Sequence, residues 1–464
     1  MQRGKCKYQL NPKSQAMHSR HSLFRNFGLC VFHYSIYVAL FSSVAIAEAG
    51  DFLSKIHPYL LVQEEYNDNI YLTSTGKKSD FITTISPGIS FSTSAATVTT
   101  PDQILQTPAD PEGINLDYRL GLVFYANEGQ NNYTSHLGAL NTWYTLSQKL
   151  RLRLTDYFIR SELSKEPNYA TGGMYGQVIL DTQRGRSIYN RNVFEPSVDY
   201  QFGENNHVFI NYRNNVFQSE NPFVEDSQEN YINPGLSYWF NIRNGISLEY
   251  GLTLGDFERS SNLVGHIAKG RYTYRFNPRT STFVEYTFQR FDFEPPSIDF
   301  EVNNTSIGID HAFSPTLTGT MQVGYFWQNT QGGPSTDGFS FNFDVRLAEQ
   351  PGARTTFTLS FQGGYVMDYF TFGNLGFTKY HRAIASITHR LQPRMTVGIS
   401  GILERAEYAS DRKDWIYIAQ GTASFVLFRW LSLSLNASHR GNDSTVDNAE
   451  YIENRVLLSL RATL

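Results

Sequence analysis

Period-two alternation constrains this chain more than any other feature. In "ENRVLLSLRATL" (453–464), Val456, Leu458, Leu460, Ala462 and Leu464 fall on one side of an extended backbone, while Arg455, Ser459, Arg461 and Thr463 take most of the other. Successive side chains of a strand point to opposite faces, so this is a strand with two unlike surfaces. The pattern returns in "WLSLSLNAS", where Leu431, Leu433, Leu435 and Ala437 oppose Ser432, Ser434, Asn436 and Ser438. It returns again in "ISLEYGLTLG" from Ile246 and "INLDYRLGLVF" from Ile114. Runs of about ten residues are what a tilted strand needs to cross a bilayer. A soluble sheet with one apolar face requires a second layer, and the sequence offers neither helices nor strands apolar on both faces to supply it. The apolar face is therefore expected to meet lipid, in a closed barrel that pairs every backbone group within the sheet.

Composition agrees with that expectation. Aromatic residues make up 15% of 464, with 29 Tyr and 34 Phe, yet hydrophobic residues reach only 41%. Many aromatics in a polar average suit a chain that alternates residue by residue. A net charge of -4 gives no nucleic-acid footprint. Near the start, Lys5, Lys7, Lys13, Arg20 and Arg25 precede an apolar run at 27–46, followed by Ala45-Ile46-Ala47 and Ala47-Glu48-Ala49. These are the parts of an export signal over 1–49, cleaved near 47–49. Cys6 and Cys30 both fall inside it, so the mature domain, 50–464, is expected to contain no cysteine.

The connections set the topology. Tight breakers occur in "FGENNH", "NIRNG", "FNPRT", "FSPTL" and "LQPRM", and longer polar links at 162–190, 220–229, 329–337 and 405–414. Short turns at one end and long loops at the other are the layout of outer-membrane barrels, with the short turns periplasmic. The reading is an all-β, transmembrane, antiparallel up-and-down barrel of about twenty strands (18–20), starting near Ile56. A flexible periplasmic insert is expected at 95–112, where three prolines occur. Pro87, Pro196 and Pro234 recur inside strand patterns and are expected to mark bulges or bends, because proline cannot donate to the ladder.

The segment "EEYNDNIYL", through Tyr66, Asn67, Asp68, Asn69 and Ile70, is followed by Asp80, Phe81, Pro87 and Gly88 in "SDFITTISPGISFS". Here the sequence resembles the N-terminal pattern of outer-membrane β-barrel proteins found with bacterial exopolysaccharide synthesis systems. The resemblance implies an outer-membrane component of polysaccharide production or export. It departs at Leu464, where such barrels usually end in an aromatic residue read by the barrel-assembly machinery.

Little in the sequence points to catalysis. Asp310-His311, His381, His389 and His439 stand outside any nucleophile motif such as G-x-S-x-G. His311 and His389 occupy a repeated slot before a turn, which fits interfacial anchoring. No metal-ligand spacing and no cofactor motif is found. Asp68 and Asn69 suit a turn better than a cation site.

Carrying the alternation through each strand puts Arg119, Arg151, Arg153, Arg213, Lys269, Arg271, Arg275, Arg346, Arg382, Arg390, Arg455 and Arg461 on the inward phase. Asp117, Asp199, Glu249, Glu285, Asp310, Asp344 and Glu404 oppose them, so the wall is expected to tilt basic. Trp239, Phe209 and Phe326 share the inward phase and could stack on sugar rings. Three functions follow: a channel or scaffold for exopolysaccharide, passive and biased toward anions or sugars; a general or solute-specific porin; and, least favoured, a barrel enzyme. The partners expected are outer-membrane lipid, the assembly machinery and a polysaccharide or other anionic solute, with no nucleic acid.

Overall fold

The computed structural model describes residues 54–93, 110–162, 187–347, 354–370 and 376–463. The signal at 1–49, most of the insert at 95–112, the centre of the 162–190 link and Leu464 lie outside the described residues. Twenty strands are present: β1 (Ile56–Asn67), β2 (Asp80–Ser92), β3 (Glu112–Tyr125), β4 (Tyr133–Ser147), β5 (Leu150–Glu162), β6 (Ile188–Gln201), β7 (His207–Ser219), β8 (Ser227–Trp239), β9 (Asn244–Phe257) and β10 (Leu263–Asn277). The ring continues with β11 (Thr280–Phe293), β12 (Phe300–Ala312), β13 (Leu317–Thr330), β14 (Thr336–Leu347), β15 (Thr355–Asp368), β16 (Gly376–Gln392), β17 (Met395–Tyr408), β18 (Lys413–Phe428), β19 (Leu431–Ser444) and β20 (Tyr451–Thr463). Each pairs antiparallel with the next, and β1 pairs with β20 from Tyr59 opposite Thr463 to Asn67 opposite Arg455. The sheet is a closed barrel of twenty strands, as the alternation predicts.

Register assigns the two faces. Val456, Leu458 and Leu460 of β20 lie outward and exposed, beside Leu435 of β19 and Leu60 of β1. Exposed aromatics crowd the short-turn rim at Tyr200, Phe202, Tyr238, Phe240, Phe276, Phe428 and Trp430, flanking an apolar belt. Farther along the strands, outward tyrosines are capped by a polar neighbour on the next strand, Tyr118 by His136 at 2.8 Å, Tyr250 by His266 at 2.7 Å and Tyr286 by Asn303 at 2.6 Å. A crowd of exposed aromatic rings at the edge of an apolar outer face is the girdle of a barrel in a bilayer. The chain is an outer-membrane barrel.

Four turns have two residues: Gln148-Lys149, Pro278-Arg279, Pro393-Arg394 and Arg429-Trp430. A register shift precedes each of them, at Thr145/Ser147, Arg275/Asn277, Arg390/Gln392 and Val426/Phe428. The extra residue sharpens the twist where the chain must reverse. His311 and His389 lie outward at this rim and bond Thr280 and Thr355, at 2.9 Å and 2.8 Å.

Two expectations need correction. The link expected at 405–414 is only 409–412, because β17 and β18 keep pairing through Glu407 opposite Lys413; Asp411, at φ 61°, makes the tight reversal. Pro87, Pro196 and Pro234 do not sit on bulges. Pairing between β2 and β3 stops at Ile85–Leu122 and resumes in the same register at Gly88–Arg119. The β6–β7 ladder is likewise open between Phe194 and Ser197, and the β8–β9 ladder between Ile232 and Gly235. Each proline removes a donor and opens the ladder on one side without inserting a residue. At β8 the Asn233 amide donates instead to the carbonyl of Tyr250, at 3.2 Å.

These faces predict opposite responses on adjacent residues. Leu435, between Ala423 and Leu458 in the middle of the outer apolar face, should cost roughly 2 to 4 kcal/mol of barrel stability on replacement by Arg. Ser434→Arg, on the inner face, should be close to neutral. Urea titration of both variants in lipid vesicles checks the difference.

Candidate functional site: the barrel lumen

The register puts all twelve basic and seven acidic candidates on the inner phase, but many of them are engaged with one another. Arg213 makes a two-pronged contact with Glu229, at 3.1 and 2.7 Å, both side chains buried. Lys269 and Arg271 reach the same Glu285 carboxylate at 3.4 and 2.7 Å, and Glu249 stands opposite Lys269 in the ladder. Arg382 is bound to Glu404, and Arg455 approaches Glu65 at 3.4 Å. Others lie on rings: Arg275 on Trp239 at 4.1 Å and Arg461 on Tyr59 at 3.9 Å, whose hydroxyl donates to Asp117, beside Arg119 on the same strand. Arg153 donates to Asn141 at 3.2 Å, and Asp310 accepts from Thr320 at 2.8 Å. Arg151, Asp199, Asp344, Arg346 and Arg390 lie toward the short-turn mouth.

The basic tilt is not maintained. Sequence reading missed Arg191 and Arg440 on the inner face, but also Glu65, Glu195, Glu229, Asp414 and Glu453. Adding two bases and five acids brings the wall close to balance. Arg191, Glu195 and Glu229 lie in stretches such as "SIYNRNVFEP" and "EDSQENYINP", where both phases carry polar residues and no apolar face marks the register.

The central lumen holds a cavity of about 650 Å³. Its lining mixes seven amides, Asn211, Asn233, Gln289, Asn304, Gln322, Asn342 and Gln362, with Tyr231, Tyr365 and Tyr380 and with three bases and three acids, Arg153, Arg213, Lys269, Glu195, Glu249 and Glu285. Neutral bonds tie neighbours across the strands, Gln322 to Ser306 at 2.7 Å and Ser340 to Asn304 at 2.8 Å. The acceptor oxygens of Gln289 and Asn342 are buried with no hydrogen bond among the described residues. A second cavity of about 230 Å³ lies against β1–β5 and β20 and contains Glu65, Arg119 and Arg455.

Toward the long-loop end the lumen becomes aromatic. Phe291, Phe300, Phe326, Tyr365, Met367, Phe370 and Phe377 form one buried cluster. Phe370, just after β15, stacks on Phe257 of β9 at 5.3 Å, and its carbonyl accepts from Arg191 of β6, on the opposite side of the ring, at 3.4 Å. This corrects the stacking candidates. Phe326 is 1% exposed, with its ring against Tyr365. Phe209 covers Gly235, where an added Cβ would fall 2.1 Å from the ring, and Trp239 lies between Arg275 and Gly245. None of the three offers a clear face to a sugar.

The Tyr66–Ile70 segment has a structural role that spacing alone did not show. It clasps the seam where β1 meets β20. Asn67 donates to Glu453 at 2.6 Å, and Asp68 accepts from the backbone and side chain of Asn454 at 2.7 and 2.6 Å. Asn69 donates to the carbonyls of Ile452 and Thr73 and accepts from the Thr73 amide at 3.0 Å. Asp80 anchors the neighbouring link through the amides of Asn127 and Glu128, both at 2.9 Å. In that exposed link, the Lys78 ammonium holds the Glu128 carboxyl below its usual range. Phe81 packs on Tyr66 outside at 5.1 Å. Ile70 is buried with Ile82, and Gly88 leaves room for the Tyr59 ring. His439 bonds Asn454, and His381 stacks on Phe341, both on the outer phase.

Residues 251–464 match a protein family described as "Putative beta-barrel porin 2", from within β9 to the C-terminus. No curated protein matches the chain. Among solved structures it is similar to OprD of Pseudomonas aeruginosa, at 11% identity over 89% of this chain and 96% of that one, with a TM-score of 0.36. It is also similar to OpdK of Pseudomonas aeruginosa, solved with vanillate, at 11% identity over 89% and 100%, TM-score 0.39. OccAB4 of Acinetobacter baumannii gives 11% identity over 88% and 98%, TM-score 0.39. Likeness at this level carries nothing about solutes.

Two outcomes follow from the geometry. Asn69→Ala leaves the carbonyls of Ile452 and Thr73 short of a donor, so it should cost about 1 to 3 kcal/mol and lower the temperature at which the barrel loses its compact electrophoretic mobility. Phe370→Ala removes the ring that meets β9 across the mouth and should raise single-channel conductance in planar bilayers.

Proposed function

We propose that this porin-like barrel is a diffusion channel for small, neutral, hydroxyl-rich solutes. The observation that carries this reading is the neutral hydrogen-bonding part of the cavity lining, with Asn211, Asn233, Gln289, Asn304, Gln322, Asn342 and Gln362 beside three tyrosines. Side-chain amides both donate and accept, so they can bond solute hydroxyls with no charge on either partner. A charged solute would instead need uncompensated charge on the wall. The geometry sets Lys269 and Arg271 on the one carboxylate of Glu285, with Glu249 opposite Lys269, so two acids offset two of the three cations of the cluster best placed to select anions, and Arg275 keeps its charge on the face of Trp239.

A polysaccharide-export role draws no support from the lumen or from the family match. Loss of surface polysaccharide on deletion of the gene would bring it back.

The channel reading is tested on the purified barrel in liposomes and planar bilayers. Sugars should permeate, and the reversal potential in a potassium chloride gradient should stay near zero. Replacing Gln362 and Asn342 together by Leu should slow sugar entry several-fold while leaving ion conductance little changed. Strong anion selectivity, abolished by neutralising Lys269, Arg271 and Arg275, would overturn it.

A further inference from the structure

The wall between β6 and β9 is interrupted twice at one height. Pro196 opens the β6–β7 ladder and Pro234 opens the β8–β9 ladder, each five residues before its strand ends. The β7–β8 hairpin between them is thus tied less firmly to both neighbours at mid-depth than anywhere above or below. Inside the second opening, Asn211, Tyr231 and Asn233 line the central cavity. Outside it lies a groove of about 520 Å³ in the apolar belt, walled by Val198, Val208, Ile210, Leu236, Leu248 and Tyr250. Val208, Ile210 and Leu248 are 38%, 52% and 50% exposed, so the groove lies open to the bilayer.

The two spaces share a wall. Glu249, an inward residue opposite Lys269, contributes to the lining of both, and the groove reaches Phe209, which closes the inner side of Gly235. Across the missing ladder bonds, the inner side is covered by the Ile267 and Tyr231 side chains packed on Gly251, opposite Asn233, and the Asn233 amide bridges to the Tyr250 carbonyl. These are side chains, able to change rotamer without breaking a strand. An opening whose inner side is hydrogen-bonding and whose outer side is apolar matches a molecule with the same asymmetry.

We propose that this stretch is a lateral portal for an amphiphile, with a hydroxylated head held among Asn211, Tyr231 and Asn233 and an alkyl chain lying in the outer groove. The assignment depends on the channel reading only for the cavity that receives the head.

The test uses the full-length barrel in lipid vesicles, with Cys6 and Cys30 replaced by Ser, and an alkyl glucoside carrying a photoactivatable diazirine either on the sugar or at the chain end. The sugar-end probe should label Asn211 or Tyr231, and the chain-end probe Val208 or Leu248. In a variant with Ile232→Cys and Leu252→Cys, a ladder pair at the edge of the opening that leaves Pro234 in place, oxidation should abolish sugar-end labelling of the lumen and reduction restore it. Pro234→Val, which returns the missing donor, should reduce that labelling without a cross-link. Lumenal labelling that persists after oxidation, or chain-end labelling alone, would overturn the portal. Conductance recorded on the same samples reports the channel separately, so a silent barrel that still labels on both sides of the wall keeps the portal and discards the channel.

Discussion

Everything in this structure depends on the cost of a bare backbone polar group in hydrocarbon. A sheet in a bilayer cannot leave an edge, so the first strand must find the last. Here that meeting is reinforced beyond the ladder itself. Asn67, Asp68 and Asn69 all reach β20 across the seam, and Arg455 reaches Glu65 on the inner face. The most conspicuous polar motif of the sequence is therefore the fastening of the ring. Its distance from the lumen's central cavity explains why it says so little about solutes.

Most of the fold was legible because lipid imposes one rule on the outer face. Along β19 and β20 every outward residue from Leu431 to Ala437 and from Val456 to Ala462 is apolar, and a slip of one residue would turn Arg461 into the bilayer. Strand number and closure follow from that rule. The inner face carries no comparable rule, which is why Trp239, Phe209 and Phe326 could be put on the right phase without showing that each ring was already covered by Arg275, Gly235 or Tyr365. The same limit applied between β5 and β8, where Arg191, Glu195 and Glu229 stand in polar surroundings on both phases.

Electrostatics shows the difference between composition and arrangement. Counting inward charges strand by strand gives a basic wall, because Lys269, Arg271 and Arg275 share β10 with no acid among them. Pairing is decided by the neighbouring strand, and β11 supplies Glu285 at the height of Arg271, while β9 supplies Glu249 at that of Lys269. A strand-local reading cannot see this. Cross-strand neighbours are the unit of interaction in a sheet, so charge balance belongs to pairs of strands.

The prolines carry the argument one step further. Pro87, Pro196 and Pro234 are the same device on three descending strands, each opening the ladder to the next strand, yet their surroundings differ. Behind Pro87 the inner side is the smaller cavity, lined by Ser86, Arg119 and Ser135. Pro196 and its opposite residue Tyr212 line the central cavity, so there the opening faces the lumen. Pro234 also has an apolar groove outside. A missing backbone donor sets only where a wall is weak. What lies on either side decides whether the weakness is turned to the lumen alone or also backed by an apolar groove on the outer face.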